Sequence, residues 1–423
     1  MIVTLGLTSL IGLGLQAQSF APIGYKASSM GGAGVASSKN AFASYYNPAL
    51  LAKPDNNVEI AVGAGLGFVD NGAVESVNKL SDAGFFDLID KANTNVLSLT
   101  PSDISTLANS RDIIIDMDGK GGQVSPNAYF STQVDSFSVG IFGSAELTAG
   151  AVVDQAHNRL IINNGGAYVD VETLAVSNVT DYTNTSLEYA VNNGLTYLQV
   201  DALTLVEVPL SYGHAFETGA GDISLGGSFK FMQGTTHNGQ ADIDVEFDKL
   251  EDDLKSSEKK TTDFGIDLGV LYEPKAISDL RLGLVGKNLN KPSFERIDGS
   301  KIDIDPMIRV GVAYDIFESL EFAVDYDITE NDTLLTSASQ AYKTQYIGGG
   351  LNWHPVSWAS LRAGLMENLS NDTEGLIYTA GLSFGPSFFQ LDVSAQLSSE
   401  ENTVDGDTYP ASARVNIALI SRW

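Results

Sequence analysis

From Val58 to the end of the chain, apolar and polar residues alternate nearly one for one. Ile266, Leu268, Val270 and Tyr272 alternate with Gly265, Asp267 and Gly269; Phe322, Val324 and Tyr326 alternate with Glu321, Asp325 and Asp327. Leu391, Val393, Ala395 and Leu397 likewise oppose Gln390, Asp392, Ser394 and Gln396. A period of two marks a strand with one apolar and one polar face. The pattern predicts about fourteen strands, near 58–68, 122–133, 136–152, 200–215, 220–236, 262–273, 279–289, 306–315, 319–328, 343–353, 358–367, 375–385, 388–397 and 411–422. Their joins alternate in length. Tight ones fall at Val134-Asp135, Glu217 to Gly221, Pro274 to Ser278, Phe317-Glu318, His354 to Val356 and Pro386-Ser387, and long ones at 69–121, 153–199 and 237–261. A soluble sandwich shares the alternation. Short turns at one rim, long loops at the other and an even strand number instead describe an all-β transmembrane antiparallel barrel, here over residues 55–423.

The final strand sharpens this. Ala413, Val415, Ile417, Leu419 and Trp423 share its apolar face, interrupted by Ser421, while Ser412, Arg414, Asn416 and Arg422 share the other. An indole suits a membrane–water interface, where its ring and its N–H are both satisfied. Ile417, Leu419 and Trp423 are therefore read as the closing strand, with both termini at the short-turn rim. Two loops carry helical spacing. In 74–93, Val74, Val77, Leu80, Phe85, Leu88 and Ile89 fit one helix with an internal cap at Ser81-Asp82. In 186–195, Ser186 starts a turn that Asn192-Asn193-Gly194 stops, its apolar residues expected on the barrel rim.

Composition agrees with a barrel. A mean hydropathy of +0.01 is too polar for a bundle of membrane helices, but a barrel dilutes its lipid-facing half with a polar lumen. The 423 residues include no Cys, which excludes disulfides and thiol chemistry. A net charge of −29 makes nucleic acid and anionic membrane surfaces poor partners. The uncharged run Ile2 to Leu15 leads into Leu15-Gln16-Ala17, so residues 1–17 are read as a secretory signal, without Lys or Arg near Met1.

Catalytic chemistry finds little footing. His157, His214, His237 and His354 sit in no nucleophile or metal motif, and Ser211 and His214 fall on opposite faces of a strand. Asp325 and Asp327 are expected to line a polar lumen. The run Asp242, Asp244, Glu246, Asp248, Glu251, Asp252 and Asp253 lacks the Gly and distal Glu of an EF-hand. A solvated loop is expected there, with divalent ions bridging it to lipid phosphates left open. No enzyme activity, cofactor or resident metal is expected.

The segment before the first strand carries the strongest local signal. Met30-Gly31-Gly32-Ala33-Gly34-Val35-Ala36 allows close backbone approach, and Asn47-Pro48 turns the chain before Ala49-Leu50-Leu51-Ala52. No Lys-Ser/Thr or fingerprint helix follows these glycines, which excludes a phosphate cradle. The run, the Asn47-Pro48-Ala49 triplet and a fourteen-stranded barrel with an aromatic end resemble the FadL-type outer-membrane transporters of hydrophobic compounds. Among their relatives, the acidic loop and spacing look most like TraF-type conjugal-transfer barrels. The resemblance implies that residues 18–54 form a hatch inside the barrel, with Gly31, Gly32, Gly34, Asn47, Pro48 and Ala49 as hatch residues. It also implies a kinked third strand, for which Gly143 and Gly150 are candidates, and a terminal signal at Ile417, Leu419 and Trp423 read by barrel-assembly machinery.

The function expected is passage or binding of hydrophobic small molecules, such as long-chain fatty acids, across the outer membrane of a Gram-negative bacterium. Phe85, Phe86 and Leu88 are the expected capture residues, with outer-membrane lipid and lipopolysaccharide as surroundings. The alternatives are a structural or assembly barrel of a conjugation or envelope complex, and a general diffusion porin.

Overall fold

The computed structural model describes residues 22–241, 256–336, 341–404 and 406–423. The expected signal 1–17, residues 18–21 of the hatch and the acidic run 242–253 lie outside the described residues, as does the side chain of Phe86.

Fourteen strands close in chain order into one antiparallel barrel. They are β1 (Val58–Asp70), β2 (Gly121–Val134), β3 (Phe137–Val152), β4 (Tyr197–Glu217), β5 (Gly221–Ala241), β6 (Lys259–Pro274) and β7 (Leu280–Lys287). They continue as β8 (Met307–Phe317), β9 (Leu320–Asp327), β10 (Tyr346–Val356), β11 (Ala359–Asn368), β12 (Leu376–Phe384), β13 (Gln390–Ser398) and β14 (Ser412–Arg422). Each overlaps one predicted strand. All short joins lie at one rim, at 135–136, 218–220, 275–279, 318–319, 357–358 and 385–389. The turn expected at His354 to Val356 falls instead at Ser357-Trp358, because β10 and β11 remain paired as far as Val356 and Ala359.

The two faces obey the alternation. Val415, Ile417 and Leu419 point outward, whereas Ser412, Asn416, Ala418 and Ile420 are buried within. Phe216, Phe317, Trp353, Trp358, Phe388 and Trp423 stand exposed at or beside the short-turn rim, a girdle suited to a membrane–water boundary. The seam closes there: the Val58 N–H donates to the Trp423 carbonyl and the Trp423 N–H to the Val58 carbonyl, each at 3.0 Å.

Two short inner helices, α1 (Tyr25–Ser28) and α2 (Ala43–Tyr46), belong to the segment that precedes β1. The long loops build a cap over the other rim from α3 (Ala73–Asp82), α4 (Phe85–Asn95), α5 (Pro101–Asp116), α6 (Val179–Thr185) and α7 (Leu187–Asn192). The single helix expected over 74–93 is two, because Gly84 takes a left-handed backbone (φ 65°) between α3 and α4. Ser186 caps α7 as expected, its hydroxyl accepting from the Tyr189 N–H. Its Leu187, however, packs into the cap with Leu80, Phe85, Leu107, Ile114 and Leu160 instead of resting on the rim.

Helix α5 starts on a capping box: the Asp103 N–H donates to the Thr100 hydroxyl, and the Thr100 N–H donates to the Asp103 carboxylate. The Lys91 ammonium adds a bond of 2.7 Å, and together these hold the Asp103 carboxyl down at about 2 from 3.8. The carboxylate's contribution to the cap is therefore complete above pH 3.8 and fades as pH falls toward 2. In a carboxyl-carbon NMR titration, Lys91→Met should return the Asp103 midpoint toward 3.8; a midpoint still near 2 would refute this assignment.

Candidate functional site

The bore of the barrel is filled from below by the segment preceding β1. Met30, Ala33, Val35, Asn47, Ala49 and Leu51 have no solvent exposure. The segment lies directly on wall backbone wherever strands present glycine inward. A Cβ at Gly226 of β5 would collide with the Pro48 and Ala49 backbone, and one at Gly348 of β10 with the Gly31 carbonyl. Gly31 itself needs to be glycine on two counts, a backbone at φ 63° and strands against its α-carbon. Seats on opposite walls thus grip the two ends of the segment.

Asn47 explains the Asn-Pro-Ala triplet. Its side-chain oxygen accepts from the Ala49 N–H (3.0 Å), capping a 3-10 turn over Pro48–Ala52 with proline at the first position. Its amide nitrogen donates to the Val35 carbonyl (2.9 Å) and to the Val270 carbonyl on β6 (3.2 Å). One buried side chain therefore ties the turn, the glycine run and the wall.

Charged groups complete the grip. The Asp325 carboxylate accepts from the Gly34 and Val35 N–H groups at 2.8 and 2.9 Å. Beside it Arg309 pairs with Asp327 at 2.5 Å. Lys26 reaches Glu321 (2.5 Å), and Arg422 bridges Glu59 (2.7 Å) and the Tyr25 hydroxyl (2.8 Å). Asp325 and Asp327 do line the lumen, as the alternation required. Below the segment a polar vestibule of about 270 Å³ opens at the short-turn rim, lined by Lys26, Lys39, Asp55, His354 and Arg362.

An apolar column starts within the segment and continues above it. Tyr25, Phe42, Tyr45 and Tyr46 meet Tyr129 and Phe142 of the wall; Phe42 and Tyr129 lie edge to face at 5.0 Å, and Tyr45 and Phe142 are 5.5 Å apart. Higher up, Leu203, Leu205, Met232, Val285, Phe294, Ile302, Ile304 and Leu334 extend the same cluster. Phe294, Ile302 and Ile304 come from the loop between β7 and β8, and Leu334 from the loop between β9 and β10. The Leu334 N–H donates to Glu146 of β3, across the mouth from β9. The column is packed: the cavity beside Tyr45, Phe142 and Leu205 measures about 20 Å³, room for a single water.

The other predicted residues fall as follows. Phe85 and Leu88 join the cap's own apolar cluster, Phe85 being 8% exposed. Gly32 turns the chain at φ 81° beside Met366 and Pro22. Gly143 and Gly150 are paired on both sides. The ladder lapses elsewhere on β3, at Ala145-Glu146 opposite Ser125-Pro126 and at Gly140-Ile141 opposite Val208-Pro209, where proline supplies no N–H. An apolar groove of about 610 Å³ runs over the outer face there, lined by Phe137, Val139, Leu210, Phe229 and Leu268. Ser211 bonds Ser228 inside the wall, while His214 stacks with Tyr212 outside.

Fold and lumen together define a class: a membrane-adapted β-barrel whose bore is occupied by its own N-terminal segment. The chain belongs to the family described as F plasmid transfer operon, TraF, protein, whose model matches residues 44–327. Among solved structures it is similar to the Pseudomonas putida toluene transporter TodX, at 11% identity over 96% of this chain and 99% of that one, with a TM-score of 0.52. It is similar also to the CymD monoaromatic hydrocarbon channel, at 11% identity over 96% and 99% of the two chains, with a TM-score of 0.50. At such identity the likeness establishes a common fold. No curated protein matches the chain.

Proposed function

We propose that the barrel sits in the outer membrane of a Gram-negative cell and passes hydrophobic small molecules, without catalysis, past an N-terminal hatch. The apolar, aromatic column between the cap and Asn47 carries this reading. A diffusion pore for polar solutes has no use for it, whereas a hydrocarbon gains about 25 cal/mol per Å² of apolar surface removed from water along it. Cap residues such as Phe85 and Leu88 would receive the molecule, and Gly31, Gly32, Gly34, Asn47, Pro48 and Ala49 would seat the hatch beneath it. A polar vestibule below disfavours exit downward. The lapses flanking β3 and the apolar groove outside favour a sideways exit into lipid. Ile417, Leu419 and Trp423 fit the seam strand that barrel-assembly machinery would read, and lipopolysaccharide would surround the upper belt.

The test is uptake by a Gram-negative strain lacking other hydrocarbon transporters, whose lipopolysaccharide excludes the fluorescent probe N-phenyl-1-naphthylamine. Cells expressing the full chain should take up the probe several-fold faster than cells with empty vector, and a variant lacking 76–92 should fall back; equal rates in all three would sink the reading. The family description favours a second reading, an assembly barrel of a conjugation or envelope complex. That barrel would leave uptake unchanged and retain a stable protein partner through its long loops.

A further inference from the structure

The loop from Asn288 to Asp305 folds over the tall rim into the mouth, carrying Phe294, Ile302 and Ile304 into the buried column. It forms a small hairpin, Ser293–Glu295 against Lys301–Asp303, in which Phe294 faces Ile302. Phe294 is fully buried. Its ring packs directly against wall backbone at Gly234, where a Cβ would overlap the ring carbons. The cross-strand partner of Gly234 is Leu205, and Met232 sits two residues along the same inner face. A glycine floor between two long aliphatic side chains is a slot shaped for a flat ring.

The rest of the hairpin is held differently. The Ser293 N–H donates to Asp263 (2.8 Å), the Thr236 hydroxyl to the Glu295 carbonyl (2.8 Å), and Arg296 pairs with Asp201 at 3.0 Å. Thr236 and Asp201 are buried, so these polar contacts hold the hairpin to the wall beside the ring. At the hairpin's base, Asn288 and Lys291 take left-handed backbones (φ 53° and 54°), a conformation that disfavours lysine. Phe294, with Ile302 and Ile304 beside it, is thus the aromatic anchor of the hairpin, at the top of the column a hydrocarbon must enter.

We propose that Phe294 is a built-in occupant of an aromatic-ring seat over Gly234, and that an entering aromatic hydrocarbon takes this seat as the hairpin withdraws. The inference rests on the transport reading and adds to it a ligand class, a flat hydrocarbon ring, and a site that the chain itself blocks. Ligand and side chain compete for one volume, so entry is governed by how often the seat is vacated.

The test uses a mutant cycle read by initial uptake of radiolabelled toluene into the same expressing cells. Phe294→Ala removes the occupant, whereas Gly234→Ala puts a methyl into the seat itself and denies it to side chain and ligand alike. Phe294→Ala should raise uptake about tenfold, and adding Gly234→Ala should cancel that gain, because both act on one volume. Folding is checked by heat-modifiable electrophoretic mobility. If Phe294→Ala does not fold, Phe294→Leu should still exceed wild type. Wild-type rates for Phe294→Leu, or a gain that survives in the double variant, would overturn the seat while leaving transport intact. No uptake in any protein, wild type included, would overturn both readings.

Discussion

Asn47→Ala should turn a quiet barrel into one that opens often to ions while its wall stays folded. The side chain is fully buried and makes three hydrogen bonds, to Val35, Ala49 and Val270. Alanine replaces none of them, and each buried group left unsatisfied costs about 1–3 kcal/mol. A loss of about 3 kcal/mol falls on the seating of the inner segment, and at about 1.4 kcal/mol per tenfold this raises the unseated population on the order of 100-fold. The ladder does not depend on Asn47, since Val270 keeps its strand partners Leu225 and Leu284. Planar-bilayer recordings should show rare openings for wild type and frequent ones for the variant, at the same heat-modifiable mobility. Unchanged opening would mean that the segment is held by its glycine seats alone.

Arg422→Met should be the most destabilising single change at the seam. The Glu59 carboxylate is fully buried and Arg422 is its ionic partner at 2.7 Å, with weaker bonds of 3.3 Å from Asn40 and Ala41. Removing one member of a buried pair strands the other, at about 3–5 kcal/mol, whereas removing both can be nearly neutral. Urea unfolding in lipid vesicles should therefore show a large loss for Arg422→Met and recovery of most of it in Arg422→Met/Glu59→Leu. If the double variant were as unstable as the single, the arginine would act through Tyr25 and Gln390 instead, to which it also donates.

The wall was legible in the sequence because each strand answers to two solvents at once, and a one-residue slip would exchange them. Hence Leu268 and Val270 fix the faces of β6 without any knowledge of its neighbours. The cap was partly legible. Ser186 and Gly194 punctuate α7 by local chemistry, but α5 escaped although Thr100-Pro101 with Asp103 is a start signal, because consecutive Ile113, Ile114 and Ile115 blur its apolar period. The glycine seats were not legible. Gly226 and Gly348 look like ordinary strand glycines until the register brings Pro48 and Gly31 onto them. The inward turn of Phe294 was equally hidden, since isolated apolar residues among charged ones give a loop no local reason to enter a lumen. Asn47 stands between these cases: its turn follows from the proline that succeeds it, but its bond to Val270 spans 223 positions.

The seam has a consequence for how the molecule is made. β1 and β14 are the first and last strands of the wall, so their pairing closes the cylinder. At that junction Glu59 accepts from Asn40 and Ala41, and Arg422 reaches Tyr25, so both edges hold the contents as well as each other. Closing the cylinder and loading its cargo of thirty-odd residues are then coupled, since an empty cylinder would keep the Glu59–Arg422 pair but lose its bonds to Asn40, Ala41 and Tyr25.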